Sequence, residues 1–149
     1  MKSSRRFSEI QSSTLLLFAA LTLVATAAGC GSDGPALLPV KGKVTIDGKP
    51  AKEGGVTFHS AQNQMVRLVC AIRPDGTYVM MHNRDEGAPA GEYIVTVLVT
   101  ETAMTPDGKY TGLPKTVSHR KFTDPGTTPL RVEVKENASP DAYDLSVSG

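Results

Sequence analysis

Tryptophan is absent from this 149-residue chain, and aromatic residues make up only 5% of it. Without indole rings the usual stacking platform for sugars is missing. Tyr78, Tyr93, Tyr110 and Tyr143 do not form a strip that could replace it. Cysteine is nearly absent too, with Cys30 and Cys70 the two examples, which excludes a multi-bridge disulfide framework. Neither sign of charge prevails: 16 basic residues stand against 15 acidic ones, so the electrostatic footprint of a nucleic-acid partner is missing. Long apolar runs are also lacking. The apolar run LLLFAALTLVATAA at residues 15–28 has 14 residues and no charge, against ~20 for a membrane-spanning helix.

The motifs of several chemistries are missing as well. His59, His82 and His119 form no short-spacing pair of the kind that announces zinc. No Asp-x-Asp-x-Asp/Asn-Gly loop offers a calcium cradle, and the polar run from His82 to Glu86 reads as a solvated loop. Ser118 and His119 are neighbours, but adjacency does not orient a triad, and no G-x-S-x-G elbow is present. The glycines are single or paired at turns, without a phosphate loop. No cofactor, metal or catalytic residue is expected.

What is present begins with three zones. Residues 1–14 carry Lys2, Arg5 and Arg6 against Glu9, the apolar run follows, and Ala27, Ala28 and Gly29 then lead directly to Cys30. A basic stretch, a short apolar core and a small-residue cleavage box read as a secretory signal. The box resembles that of bacterial lipoproteins, in which the cysteine sulfur takes a diacylglycerol and the chain is cut on its N-terminal side. Ala27 departs from that pattern, where leucine is more frequent. The resemblance implies a signal peptide at 1–29, expected as a helix, and lipid attachment at Cys30, with palmitate-type acyl chains. It places the remainder outside the cytoplasm of a bacterium, in the periplasm or on the cell surface. The alternative is an ordinary signal with Cys30 a bystander. Pairing with Cys70 is disfavoured, since MVRLVCAI puts Cys70 on one face with Val66, Leu68 and Ile72, as a small core hydrophobe.

Removing the signal takes three basic residues and one acidic residue away, leaving 13 against 14. The 120 residues from Cys30 onward are one domain's worth, long enough to bury roughly two-thirds of the unfolded surface. Residues 30–38 read as a flexible tether, reaching roughly 25–30 Å when extended. From residue 39 the hydrophobic period is two. Val40, Val44 and Ile46 share a face, and the Asp47-Gly48 pair closes a tight turn. Further strands are predicted at 56–60, 65–72, 77–81, 92–100, 130–135 and 143–147. Seven short strands with Pro and Gly between them predict an all-β fold, a seven-stranded antiparallel sandwich of Ig-like architecture over 39–149. Residues 101–129 are left without a strand, with a helical turn expected within 115–121. Lys115, His119, Arg120 and Lys121 form a basic cluster on that segment, read as a solvated face. The sequon at Asn137 is read as a turn.

Three pieces together resemble the carboxypeptidase-regulatory type of transthyretin-like (prealbumin-like) domain: VKGKVTIDGKPAKEGGVTFHS, PDGTYVM and GAPAGEYIVTV. The stretch LPKTVSHRKFTDPGTTPLRVEVK is similar to a tail found in small bacterial lipoproteins with this domain, with Phe122 where tyrosine is common. The resemblance implies a non-enzymatic module for binding or structural organisation at the cell envelope. Its partners would be the membrane, through lipidated Cys30, and an envelope protein. No small-molecule ligand is named by these residues. Two alternatives carry different expectations. One is a transthyretin-like hydrolase of the hydroxyisourate class, whose C-terminal Tyr-Arg-Gly-Ser is missing from the ending DLSVSG. The other is an accessory domain beside a separate envelope hydrolase.

Overall fold

The structure, a computed structural model, describes residues 34–149. The expected signal helix and the residues Ala27, Ala28, Gly29 and Cys30 lie outside the described residues. In chain order the first strands are β1 (Leu37–Leu38), β2 (Lys41–Ile46), β3 (Lys49–Pro50), β4 (Gly54–Ser60) and β5 (Arg67–Ala71). Next come β6 (Thr77–Val79), β7 (Met81–His82), β8 (Asp85–Glu86), β9 (Ala88–Pro89) and the long β10 (Gly91–Glu101). The chain closes with β11 (Lys115–Thr116), a 3₁₀ turn at Arg120–Phe122, β12 (Arg131–Val134) and β13 (Leu145–Val147). The fold is all-β among the described residues. Each of the seven segments expected from alternation holds a strand.

Two larger sheets carry the fold. One orders its strands β11-β10-β4-β5, with β12 also on β10; the other orders β13-β2-β3, with β6 also on β2. The reason for β10 is legible in EYIVTVLVT, whose β-branched and aromatic residues suit a pleated surface. Tyr93, Val95, Val97 and Val99 are buried on its inner face, opposite Val56 and Phe58 of β4. From the smaller sheet Val40, Val44, Tyr78, Met80, Leu145 and Val147 enter the same core cluster. Phe58 joins the two sets, edge-on to Tyr78 at 6.3 Å and tilted against Tyr93 at 5.6 Å between ring centroids. Burying each such side chain contributes about 1.5–3 kcal/mol.

The tight turn at Asp47-Gly48 has positive φ at both residues, 49° and 77°, and brings Ile46 opposite Lys49. That conformation matches the twist of the flanking strands and suits this residue pair.

Several expectations need correction, among them a strand-free 101–129, which holds β11. The sheets are not wholly antiparallel, because β13 runs parallel to β2, Leu145 beside Val44 and Val147 beside Ile46. Parallel partners cannot be joined by a tight turn; here β3 to β12 lie between the two strands in the chain, and residues 135–144 bring it from β12 to β13. The arrival is fixed by Lys43 N–H donating to Asp144 at 2.8 Å and by the Tyr78 hydroxyl donating to the Tyr143 carbonyl at 2.6 Å. The tether also ends sooner than residue 38. Leu37 and Leu38 pair with Pro89 and Ala88, so the last residues of the expected tether are a strand. Both are half-buried and apolar, which gives them a reason to dock.

Residues 101–129 are organised by β10. Met104 and Tyr110 form a bridge that folds 103–111 into a small hairpin. The strand β11 pairs with Thr100 and Glu101, while β12 pairs with residues 91–94. Between those ladders β10 would have unpaired backbone groups, and side chains fill the gap. Ser118 Oγ accepts from Val99 N–H at 3.1 Å and donates to the Val97 carbonyl, and Thr128 Oγ1 donates to the Val95 carbonyl at 2.8 Å. Ser118, Phe122 and Thr128 are buried accordingly. In place of the helical turn expected within 115–121 there is a strand at Lys115–Thr116 and a 3₁₀ turn at Arg120–Phe122.

Candidate functional site

The histidines are dispersed. His59, on the outer face of the larger sheet, makes a 3.0 Å hydrogen bond to Thr96 Oγ1. Arg67 stands directly across from it on β5. Partial burial, and then the Arg67 charge, hold its imidazole below the ordinary range. His82 lies in β7, its Nδ1 buried without a partner. His119 caps the 3₁₀ turn, its Nδ1 accepting from Lys121 N–H at 3.1 Å. Among the described residues no group of three His, Cys, Asp or Glu side chains is placed to hold a metal ion.

Ser118 and His119, neighbours in sequence, are committed to different tasks. The serine hydroxyl is spent on the β10 backbone and the imidazole on its cap, so they form no nucleophile–base pair. Cys70 is a buried free thiol, its Sγ directed at the Val56 carbonyl at 3.8 Å. Burial pushes its pKa up to about 11, far from the range of a reactive thiolate. It behaves as the small core residue that alternation suggested.

The basic cluster Lys115, His119, Arg120 and Lys121 is solvent-exposed on β11 and the 3₁₀ turn, with Lys121 Nζ 4.7 Å above the Phe122 ring. Asn137 sits in a turn with φ of 54°. Three of the four tyrosines, Tyr78, Tyr93 and Tyr143, are buried, and Tyr110 is exposed on the 103–111 hairpin.

An open cleft of about 540 Å³ lies where the chain comes in at Leu38 and Pro39. Lys41, Lys135 and the turn from Glu136 to Pro140 form its walls, and Tyr143 its floor. Both lysines are engaged at the surface, Lys41 with Glu86 at 3.2 Å and Lys135 with Glu133 at 2.6 Å. The Tyr143 hydroxyl is buried without a partner. Sequence reasoning did not foresee this cleft, because its walls come from segments about a hundred residues apart with no shared motif. The arrangement offers a wet, shallow surface with ammonium groups at the rim, and it brings no acid–base pair together.

No family model, curated protein or solved structure matches the chain.

Proposed function

We propose that this protein is a lipid-anchored module of the bacterial cell envelope, held by Cys30, that binds or organises another envelope component and is not an enzyme. The domain is read as a seven-strand sandwich of the transthyretin-like, carboxypeptidase-regulatory kind. The observation that carries the reading is the residue order at 15–30, a charge-free run ending in Ala27, Ala28, Gly29 and Cys30. Support for the fold comes from the Asp47-Gly48 hairpin, the Pro74-Asp75-Gly76 turn and β10. These stand in the order that the resemblance implies.

The anchor would set the energetics. Acyl burial contributes ~0.8 kcal/mol per CH₂, and two or more chains hold a protein stably at a bilayer. Tethering raises the effective concentration against neighbours to roughly millimolar. Under that condition a shallow surface with weak contacts is enough, and a deep pocket is not required.

Intact mass of membrane-extracted protein tests the reading, compared with Cys30→Ser. The expected result is an N-terminus at Cys30 carrying lipid mass, with mass and membrane association both lost in the variant. An unmodified soluble product cut near Cys30 would reject the anchor and leave a secreted domain.

A further inference from the structure

The larger sheet ends at β5, and no other described strand pairs with that edge. Ile72 N–H donates to the Gly54 carbonyl and Ser60 N–H to the Val66 carbonyl. The β4–β5 register therefore assigns residues 66, 68, 70 and 72 to bonds with β4. The N–H and C=O groups of Arg67, Val69 and Ala71 point the other way, off the sheet.

An open edge is ordinarily defended by charge, proline or a bulge. The β12 edge carries exposed Arg131 and Glu133. By contrast β5 has one charge, Arg67, with no proline and no bulge in its pairing to β4. Its outward residues gather apolar surface: Val69 is 57% exposed, Met65 93% and Met81 36%. These three line a shallow groove of about 430 Å³ between β5 and β7, whose walls include Arg67 and no carboxylate.

We propose that β5 pairs antiparallel with β5 of a second copy of this chain, about a two-fold axis at Val69. An antiparallel self-pair is isologous and closes at two subunits. With Val69 opposite its twin, Arg67 faces Ala71 and Met65 faces Arg73, so no like charges stand directly across the ladder. The three outward-facing residues of each strand would exchange about six hydrogen bonds, because each facing pair presents both its N–H and its C=O. Val69 packs on Val69, and the second strand shields Met65 and Met81 from water. The self-pairing does not depend on the anchor.

Cross-linking at chosen positions reads the register directly. The test uses the full chain with Cys30→Ser in mild detergent, where Cys70 is buried and unreactive. Facing residues of a hydrogen-bonded antiparallel pair have Cα atoms roughly 5.5 Å apart, which suits a disulfide. Val69→Cys should therefore form a covalent dimer under mild oxidation, while Arg67→Cys, which faces Ala71, should not. Sedimentation velocity of the parent should show a dimer. Val69→Lys, an exposed change that places two ammonium groups on the axis, should raise the dissociation constant at least about tenfold. A parent that stays monomeric up to about 100 μM would overturn the proposal, as would equal cross-linking at positions 67 and 69.

Discussion

The Tyr78 hydroxyl donates to the Tyr143 carbonyl at 2.6 Å, across 65 residues of chain and inside the core. It joins β6 to the segment that delivers the parallel strand β13. Burial drives the phenol's pKa far above its ordinary value, so it remains a donor at every pH of interest. Tyr78→Phe keeps the ring and its contact with Phe58 but leaves the Tyr143 carbonyl without this donor. The expected loss is about 1–3 kcal/mol of unfolding free energy, read from urea denaturation. An unchanged midpoint would show that water or another donor replaces the bond.

The middle of β10 relies on two hydroxyls in place of a neighbouring strand. Ser118→Ala removes the acceptor for Val99 N–H, and Thr128→Val removes the donor to the Val95 carbonyl. Each substitution should cost about 1–3 kcal/mol. Hydrogen exchange separates the serine's role from general weakening. The Val99 amide should lose protection in Ser118→Ala ahead of the amides of β4, and uniform loss would contradict the local role.

Gly42 and Gly55 make a matched pair. A Cβ at Gly42 would collide with the Tyr143 carbonyl, which is backbone and cannot rotate away. At Gly55 the nearest atom would be the Cys70 carbonyl oxygen at 3.5 Å, an ordinary contact. Gly42→Ala should therefore displace the 135–144 connection and cost about 3 kcal/mol or more. Gly55→Ala should be near neutral, and thermal unfolding of the two variants side by side decides it.

His59 gives the domain a dependence on pH with a definite sign. Burial, with Arg67 second, lowers its folded-state pKa below the ordinary 6.5, so the unfolded chain binds the proton more readily. Stability from this group is complete above pH 6.5 and declines as pH falls through the interval below it. Arg67→Gln removes the second cause and should move the His59 titration upward toward 6.5, as followed by its ring resonances. A downward movement would reverse the assignment.

Much of this fold was legible in the chain itself, and the reasons for the remainder are physical. In residues 92–100 each side chain sees one environment, core or solvent, so alternation reports the strand. Asp47-Gly48 reports a hairpin because few residue pairs tolerate positive φ twice. Alternation is blind to direction, however. Leu145 and Val147 would alternate in the same way beside an antiparallel neighbour, and only the path of residues 135–144 selects the parallel one. The segment 101–129 was opaque for another reason: Ser118 and Thr128 act through single side-chain bonds to backbone, which leave no period. The Cys30 box is the opposite case, plain in sequence and outside the described residues. The open edge of β5 could not be read either, since the sequence does not say which strand comes last in a sheet.

The parallel pairing of β13 with β2 has a mechanical consequence. Tension applied between residue 41 and residue 147 pulls the two strands past each other along their length. The bonds between them lie across that direction, so they are loaded together and give way together. An antiparallel pair drawn apart from one end opens one bond at a time. Single-molecule stretching from residue 35 to residue 149 should accordingly show one abrupt rupture at high force. Stretching across β4 and β5 from residues 54 and 72, the end away from their connecting loop, should open that ladder gradually at lower force. A module fastened at one end and gripping something at the other would draw its resistance from that shear.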